Sequence, residues 1–248
     1  MRVQVEICCG SVEDVIQAEQ GKAHRVELCS ALPLGGLTPS AATIAEAKRG
    51  SSIPVMVMIR PRSGGFAYSE VEIQTMEREI ELARGLGADG FVFGVLTSSG
   101  TVDVERTYRL VRRAEGLSTV FHRAFDVTPE PFEALESLID LGIKRILTSG
   151  QRRSSLEGAS LIKELVERAA GRIEIMPGGG VRIENVEEII RTTGCRQVHL
   201  TAHRRYADTS TYANRSIAFG SESAPEEDRV DVIDRSVVAA ILSKTRQL

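Results

Sequence analysis

The sequence predicts a single-domain (β/α)8 barrel, an α/β fold of the TIM-barrel type, over residues 1–248. Two observations support this. An amphipathic helical segment repeatedly ends near a glycine and is followed by a short β-rich run. Five such runs occur, and three further β-rich runs bring the total to eight, with starts roughly 22 to 36 residues apart, as expected for successive βα units. A doubly wound open sheet is the alternative, but eight regular units favour a closed barrel.

Amphipathic helical segments lie between the predicted strands. The clearest helical segment, 71–86, places Ile73, Met76 and Ile80 on one face and charged residues on the other. Similar patterns occur at 104–114, 132–141, 161–169 and 186–190. The stretch 201–229 has little predicted structure, and we expect it to be a functional lid or a mobile loop. The predicted strands are 3–7, 25–28, 54–59, 90–93, 118–122, 145–148, 173–176 and 197–200.

Composition excludes several classes of protein. Hydrophobic residues make up 42% and charged residues 26%, which excludes a disordered or collagen-like chain. The net charge of −3 gives no overall basic surface for nucleic acid, and no apolar run is long enough to span a membrane. Four cysteines are too few for a disulfide scaffold, and the first residues form no apolar signal core. We therefore expect a cytoplasmic protein with reduced thiols.

Strand periodicity predicts a polar barrel interior. Alternate residues of a barrel strand face inward, so the apolar Val5 and Ile7 are expected to face the helices. Arg25 is expected to pair with Glu27 or Glu6, because an unpaired buried charge is costly. The chemistry of barrel proteins lies at the carboxyl ends of the strands. The residues predicted to face inward are Glu6, Cys8, Arg25, Glu27, Cys29, Gln197 and His199.

The strings at these strand ends resemble the CutC family of copper homeostasis proteins, and the resemblance covers nearly the whole chain. It implies a single-domain barrel that binds Cu(I), with Cys8 and Cys29 as the metal ligands. Ser63-Gly64-Gly65-Phe66 departs from the family pattern, because it lacks an aspartate. The matching strings include Arg25-Val26-Glu27-Leu28-Cys29, Ile59-Arg60-Pro61-Arg62, Phe121-His122-Arg123-Ala124-Phe125-Asp126 and Met176-Pro177-Gly178-Gly179-Gly180.

Copper binding by these cysteines is chemically reasonable. Cu(I) prefers thiolate and thioether sulfur, and strands 1 and 2 should lie about 4.8 Å apart. Cys9 or Met58 could supply a further ligand. The alternative is that Cys8 and Cys29 are small buried hydrophobic residues, a common state for free cysteine.

The arginine-rich loops favour a different function, an enzyme acting on a small phosphorylated or carboxylate metabolite. Guanidinium groups and glycine-rich loops bind such anions, although a solvated loop or a tight turn would have the same sequence. Imidazole and carboxylate groups can transfer protons, although a lone histidine on a strand is more often structural. The predicted anion-binding residues are Arg60, Arg62, Arg182, Gly178, Gly179, Gly180 and His199, and the acid–base candidates are His122, Glu6, Glu27 and Asp126.

The sequence says less about partners. We expect a copper ion or a small anionic metabolite as the ligand, and neither nucleic acid nor a membrane. A homo-oligomer is plausible only because many soluble proteins form one. A non-catalytic interaction protein is a third option that no sequence feature supports specifically.

Overall fold

The computed structural model of the protein describes residues 3–217 and 227–246. Its main sheet has eight strands, all of them parallel to their neighbours. These strands are β1 (Gln4–Cys9), β2 (Arg25–Leu28), β3 (Val55–Met58), β4 (Gly90–Phe93), β5 (Ser118–Phe121), β6 (Arg145–Thr148), β7 (Glu174–Pro177) and β8 (Gln197–Leu200).

Eight α-helices surround the sheet in the part of the chain that is described. The predicted segment 71–86 forms a helix over Glu70–Gly85, and a capping box between Ser69 and Glu72 determines where it begins. Within the described ranges, no helix is long and apolar enough to cross a membrane. The helices are α1 (Val12–Gln20), α2 (Ala41–Gly50), α3 (Glu70–Gly85), α4 (Val104–Arg113), α5 (Pro131–Asp140), α6 (Ala159–Ala169), α7 (Val186–Thr193) and α8 (Arg235–Thr245).

The sheet curls into a nearly closed barrel, which confirms the predicted fold. The strand order is β7-β6-β5-β4-β3-β2-β1-β8. Each strand from β1 to β6 therefore pairs with the next one along the chain, and β8 pairs with β1 instead of β7. The end strands β7 and β8 contact each other, although no backbone ladder joins them in the described part of the sheet. Side chains therefore have to hold this seam together.

The strands bury two separate sets of side chains, as their alternation predicts. Val5, Ile7 and Val198 pack in the large apolar core between the strands and the helices. A second cluster fills the barrel interior and is rich in sulfur. Its members are Cys8, Cys29, Met56, Met58, Val92, Val120, Leu147 and Met176.

The segment expected as a loop over 201–229 contains regular structure where it is described. A strand, β9 (His203–Ala207), and a short 3-10 helix (Thr209–Asn214) follow β8. β9 pairs antiparallel with β10 (Arg229–Ile233). Both strands are mostly exposed, and β9 lacks the apolar alternation that would have predicted it. In β10, polar and apolar residues do alternate from Arg229 to Val232, but over too few residues to stand out within the expected loop. Residues 218–226 of the expected loop lie outside the described residues.

Candidate metal centre

A layer of paired charges lies inside the barrel, nearer the amino ends of the strands. Glu6 forms an ion pair with Arg25, which decides between the two predicted partners of that arginine. Gln197 Oε1 accepts hydrogen bonds from Arg25 Nη2 at 3.1 Å and from Arg145 Nε at 2.7 Å. Arg145 also pairs with Glu174 at 2.6 Å. The buried charges in this layer are therefore compensated.

Two thiols lie above this layer, at the carboxyl ends of β1 and β2. The Sγ atoms of Cys8 and Cys29 are each 3.5 Å from Glu27 Oε2, and all three residues are buried. The loop after β2 covers them: Leu32 packs against the interior cluster. A Cβ atom on Gly36 would lie only 3.1 Å from Cys29 Sγ. The structure thus brings the two predicted copper ligands to one carboxylate oxygen.

His199 adds an imidazole to the two thiols. Its Nδ1 lies 2.8 Å from Glu6 Oε1, and its Nε2 lies 3.7 Å from Glu27 Oε2. One donor atom from each of His199, Glu27 and Cys8 lies within 4.8 Å of the other two. Because Nδ1 is engaged by Glu6, Nε2 is the ring nitrogen that faces the thiols' side of the cluster. The sequence placed His199 among anion-binding residues, whereas the structure places it beside potential metal ligands.

The two interior carboxylates differ in acidity. Burial disfavours the charged form of Glu6, but Arg25, His199 and Arg145 together outweigh it and hold the pKa of Glu6 well below its usual range. Burial raises the pKa of Glu27 to about 8, and Glu27 Oε1 has no hydrogen-bond partner among the described residues. Glu27 thus brings a buried oxygen with spare bonding capacity to the cluster.

The two thiols also differ in acidity. A hydrogen bond with Cys29, followed by the hydrogen bond and charge of His199, holds the pKa of Cys8 well below its usual range. The same bond with Cys8, together with burial, raises the pKa of Cys29. Burial by itself would lower the pKa of His199, but the charge of Glu27 and the hydrogen bonds to Cys8 and Glu6 raise it. Cys8 is therefore the natural thiolate of the cluster, and thiolate is the form that binds metals.

The other sulfur atoms considered from the sequence have different environments. Cys9 faces the outer core, and its thiol donates to the Ile7 carbonyl at 3.6 Å. Met58 belongs to the interior cluster with Cys8 and Cys29. Of the two extra ligands considered, only Met58 shares the interior with the candidate site.

The predicted anion clamp after β3 is engaged in its own loop. Arg60 is buried and donates to the carbonyls of Leu34, Gly36 and Gly64. Arg62 pairs with Glu72 and donates to three further carbonyls of its loop. Both guanidinium groups therefore stabilise the loops around the barrel mouth, and their contacts do not support the expected clamp.

The glycine-rich loop after β7 lies beside an arginine that was not predicted as a ligand. A Cβ on Gly179 would lie 3.1 Å from Arg123 Cζ. Arg123 donates from Nε to Asp126 at 2.7 Å and from Nη2 to Ser149 Oγ at 2.8 Å. Arg182, the arginine that was predicted, is exposed. Arg123 could have been considered from the sequence, because it directly follows His122 at the carboxyl end of β5, and the residues after barrel strands line the barrel mouth.

The remaining acid–base candidates have structural contacts. His122 Nδ1 accepts from the Ala124 N–H at 3.1 Å, and burial, followed by the charge of Arg60, lowers the pKa of His122 to about 3. Asp126 accepts from Thr148 Oγ1 at 2.5 Å and from the Ser149 N–H at 3.0 Å, so it links β5 to β6. These contacts give no support to proton transfer by His122 or Asp126.

Comparisons with known proteins agree with the architecture. The CutC family model matches residues 3–204. A CutC family protein from Treponema denticola is 48% identical over 230 residues, which are 93% of this chain and 94% of the relative. The copper homeostasis protein cutC homolog of Homo sapiens is 44% identical over 237 residues, or 96% and 87% of the two chains.

A solved structure extends the match to three dimensions. The crystal structure of a CutC protein from Streptococcus agalactiae superposes with a TM-score of 0.77 and 41% sequence identity. The match covers 80% of this chain and 98% of the other. The chain therefore belongs to the CutC family of copper homeostasis proteins.

Proposed function

We propose that this protein binds Cu(I) through the thiolates of Cys8 and Cys29, with His199 Nε2 as a third donor. One observation carries the proposal: Cys8 Sγ, Cys29 Sγ and His199 Nε2 lie 3.5, 3.5 and 3.7 Å from the same atom, Glu27 Oε2. Three donor groups thus surround one buried carboxylate oxygen, and Cys8, Glu27 and His199 each offer a ligand atom within 4.8 Å of the other two. Thiolates are the ligands that Cu(I) prefers, and imidazole also suits copper.

The surroundings of the cluster fit a bound Cu(I) ion. The unpartnered Oε1 of Glu27 shows that the polar groups of the cluster do not fully satisfy one another. Met58 offers a thioether in the same interior, where apolar side chains exclude water. Such a site favours a soft monovalent ion over a hard cation, which would require more oxygen ligands.

Glu6 and Arg25 support the proposed site from below. Glu6 binds His199 Nδ1 and is itself held by Arg25, so Nε2 stays directed toward the thiols' side of the cluster. A carboxylate behind a ligating histidine commonly fixes the ring in this way. Glu6 thus acts in this proposal as a positioning residue and not as the acid or base considered from the sequence.

The test is an anaerobic titration with Cu(I) against a chromophoric chelator. We expect Cys8→Ser/Cys29→Ser to weaken Cu(I) binding by more than about 100-fold, and His199→Gln to weaken it about 10- to 100-fold. Cys9→Ser is the matched control, because its thiol faces the outer core. Its Cu(I) affinity should stay within about twofold of the parent. Unchanged affinity in a folded Cys8→Ser/Cys29→Ser protein would remove the assignment.

A further inference from the structure

A second group of donors lies at the barrel mouth, apart from the cysteines. The loops after β5, β6 and β7 meet there. A Cβ on Gly179 would lie 3.2 Å from Arg123 Nη1 and 3.3 Å from Ser149 Cβ, and one on Gly180 would lie 3.0 Å from Ser154 Cβ. Both glycines have left-handed φ angles, +95° and +72°, and a side chain on Gly179 would occupy the space beside the guanidinium.

Several donors in this place have no acceptor. The N–H groups of Gly179 and Gly180 donate to no residue in the described ranges, and the same holds for Arg123 Nη1. In contrast, the carbonyls of this loop are bonded: Ser155 Oγ donates to Gly178 O at 2.7 Å and to Gly179 O at 3.1 Å. The loop therefore holds its carbonyls inward and leaves its N–H groups available.

These loops carry four arginines and four carboxylates, so their net formal charge is zero. Asp126 pairs with the Nε edge of Arg123 and is also bonded by the backbone after β6, so it holds the guanidinium in place and leaves Nη1 free. Arg152, Arg153 and Arg182 are exposed in the same loops, and none of them has a salt-bridge partner in the part of the chain that is described. An anion would therefore be held by individual N–H donors of these loops and not by their net charge.

We propose that Arg123 Nη1 and the N–H groups of Gly179 and Gly180 bind the phosphate group of a small phosphorylated molecule. Converging N–H groups of a glycine-rich turn and a guanidinium match the several oxygens of a tetrahedral dianion. The loop after β7 is also a frequent phosphate site in barrels of this fold. This binding site replaces the clamp of Arg60 and Arg62 expected from the sequence, and it does not depend on copper.

The experiment follows backbone amide signals of 15N-labelled protein during titration with inorganic phosphate at constant ionic strength. We expect saturable shifts at Gly179 and Gly180, and a loss of affinity of about 10-fold in Arg123→Gln. Arg78→Gln is the matched control, because it removes the same charge from an exposed position on α3. Its phosphate affinity should stay within about twofold of the parent.

Several results would overturn the proposal. One is the absence of saturable shifts at Gly179 and Gly180 in the unmodified protein, a measurement that does not depend on any variant folding. A second is an equal loss of phosphate affinity in Arg123→Gln and Arg78→Gln, because the loss would then come from the change in net charge alone. A third is acetate binding as tightly as phosphate, which would contradict a site for a dianion. The titration is repeated with Cys8→Ser/Cys29→Ser, in which phosphate binding should persist whether or not Cu(I) binding is lost.

Discussion

At the scale of single residues, Gly36 determines how closely the covering loop approaches the thiols. Its φ angle is +84°, and an added Cβ would lie 3.1 Å from Cys29 Sγ and 3.7 Å from Met58 Cε. Its neighbour Gly35 has nearly the same φ, +86°, but its Cβ would meet Arg60 Nη1, at 3.1 Å, and no sulfur atom within 4 Å. The two glycines therefore have the same backbone requirement and different neighbours.

This difference gives a matched pair of variants. We expect Gly35→Ala and Gly36→Ala each to lower the free energy of unfolding by about 1–2 kcal/mol, because alanine is strained at a left-handed φ. Only Gly36→Ala should also lower Cu(I) affinity, by about 10-fold or more, because its methyl group displaces Cys29 Sγ. Urea unfolding and Cu(I) competition measure the two effects. Equal Cu(I) affinities in the two variants would show that the covering loop does not determine the position of Cys29.

His122 makes stability depend on pH. Its folded pKa is about 3, lowered by burial and then by Arg60, whereas an unfolded histidine titrates near pH ~6.5. Above that pH both states are neutral, and stability is unaffected. As the pH falls from about 6.5 toward 3, the unfolded chain binds a proton that the folded protein does not, so stability is lost by up to about 1.4 kcal/mol per pH unit.

His122→Asn tests this contribution. Asparagine can still accept from the Ala124 N–H but does not titrate. We expect the variant to be less stable at pH 7, because a buried ring is lost, and to lose less stability than the parent between about pH 6.5 and pH 5. Urea unfolding series at several pH values provide the comparison. Parallel stability curves for the two proteins would contradict a neutral His122 in the folded state.

At the scale of elements, the strands were the most predictable part of the structure. Side chains of a strand alternate between its two faces. Once Val5 and Ile7 of β1 were predicted to face the helices, Glu6 and Cys8 could therefore be placed inside the barrel. The pairing of β1 with β2 then brings Cys8 level with Glu27. Strand periodicity thus predicted which residues face the barrel interior, whereas the assignment of Cys8 and Cys29 as copper ligands came from the resemblance to the CutC family.

The loops at the strand ends were less predictable, for a physical reason. Their chain has no repeating period, so the partners of a long side chain depend on where the loop returns. Arg60 and Arg62 donate to carbonyls of nearby loops, and Arg123 instead reaches the glycine loop after β7. Composition showed that arginines gather at this end of the barrel, but it could not show which guanidinium still has a free N–H.

At the scale of the whole molecule, the seam between β7 and β8 is closed by side chains. No backbone ladder joins these strands in the described sheet, while Gln197 on β8 accepts from Arg145 on β6 and from Arg25 on β2. Arg25 Nη2 also lies 3.4 Å from Met176 Sδ on β7. The charged layer therefore connects both ends of the sheet through the barrel interior, below the candidate metal centre.

Replacement of Gln197 should open this seam. We expect Gln197→Ala to lower the free energy of unfolding by about 2–4 kcal/mol, because the buried Arg145 and the partly buried Arg25 lose a shared acceptor. Gln4→Ala is the matched control: Gln4 is the β1 residue paired with Gln197, but its side chain is exposed, and its replacement should cost under about 0.5 kcal/mol. Urea unfolding measures both, and hydrogen exchange should show faster exchange of the β7 and β8 amides in Gln197→Ala alone. Similar small losses in the two variants would mean that the barrel closes without its charged layer.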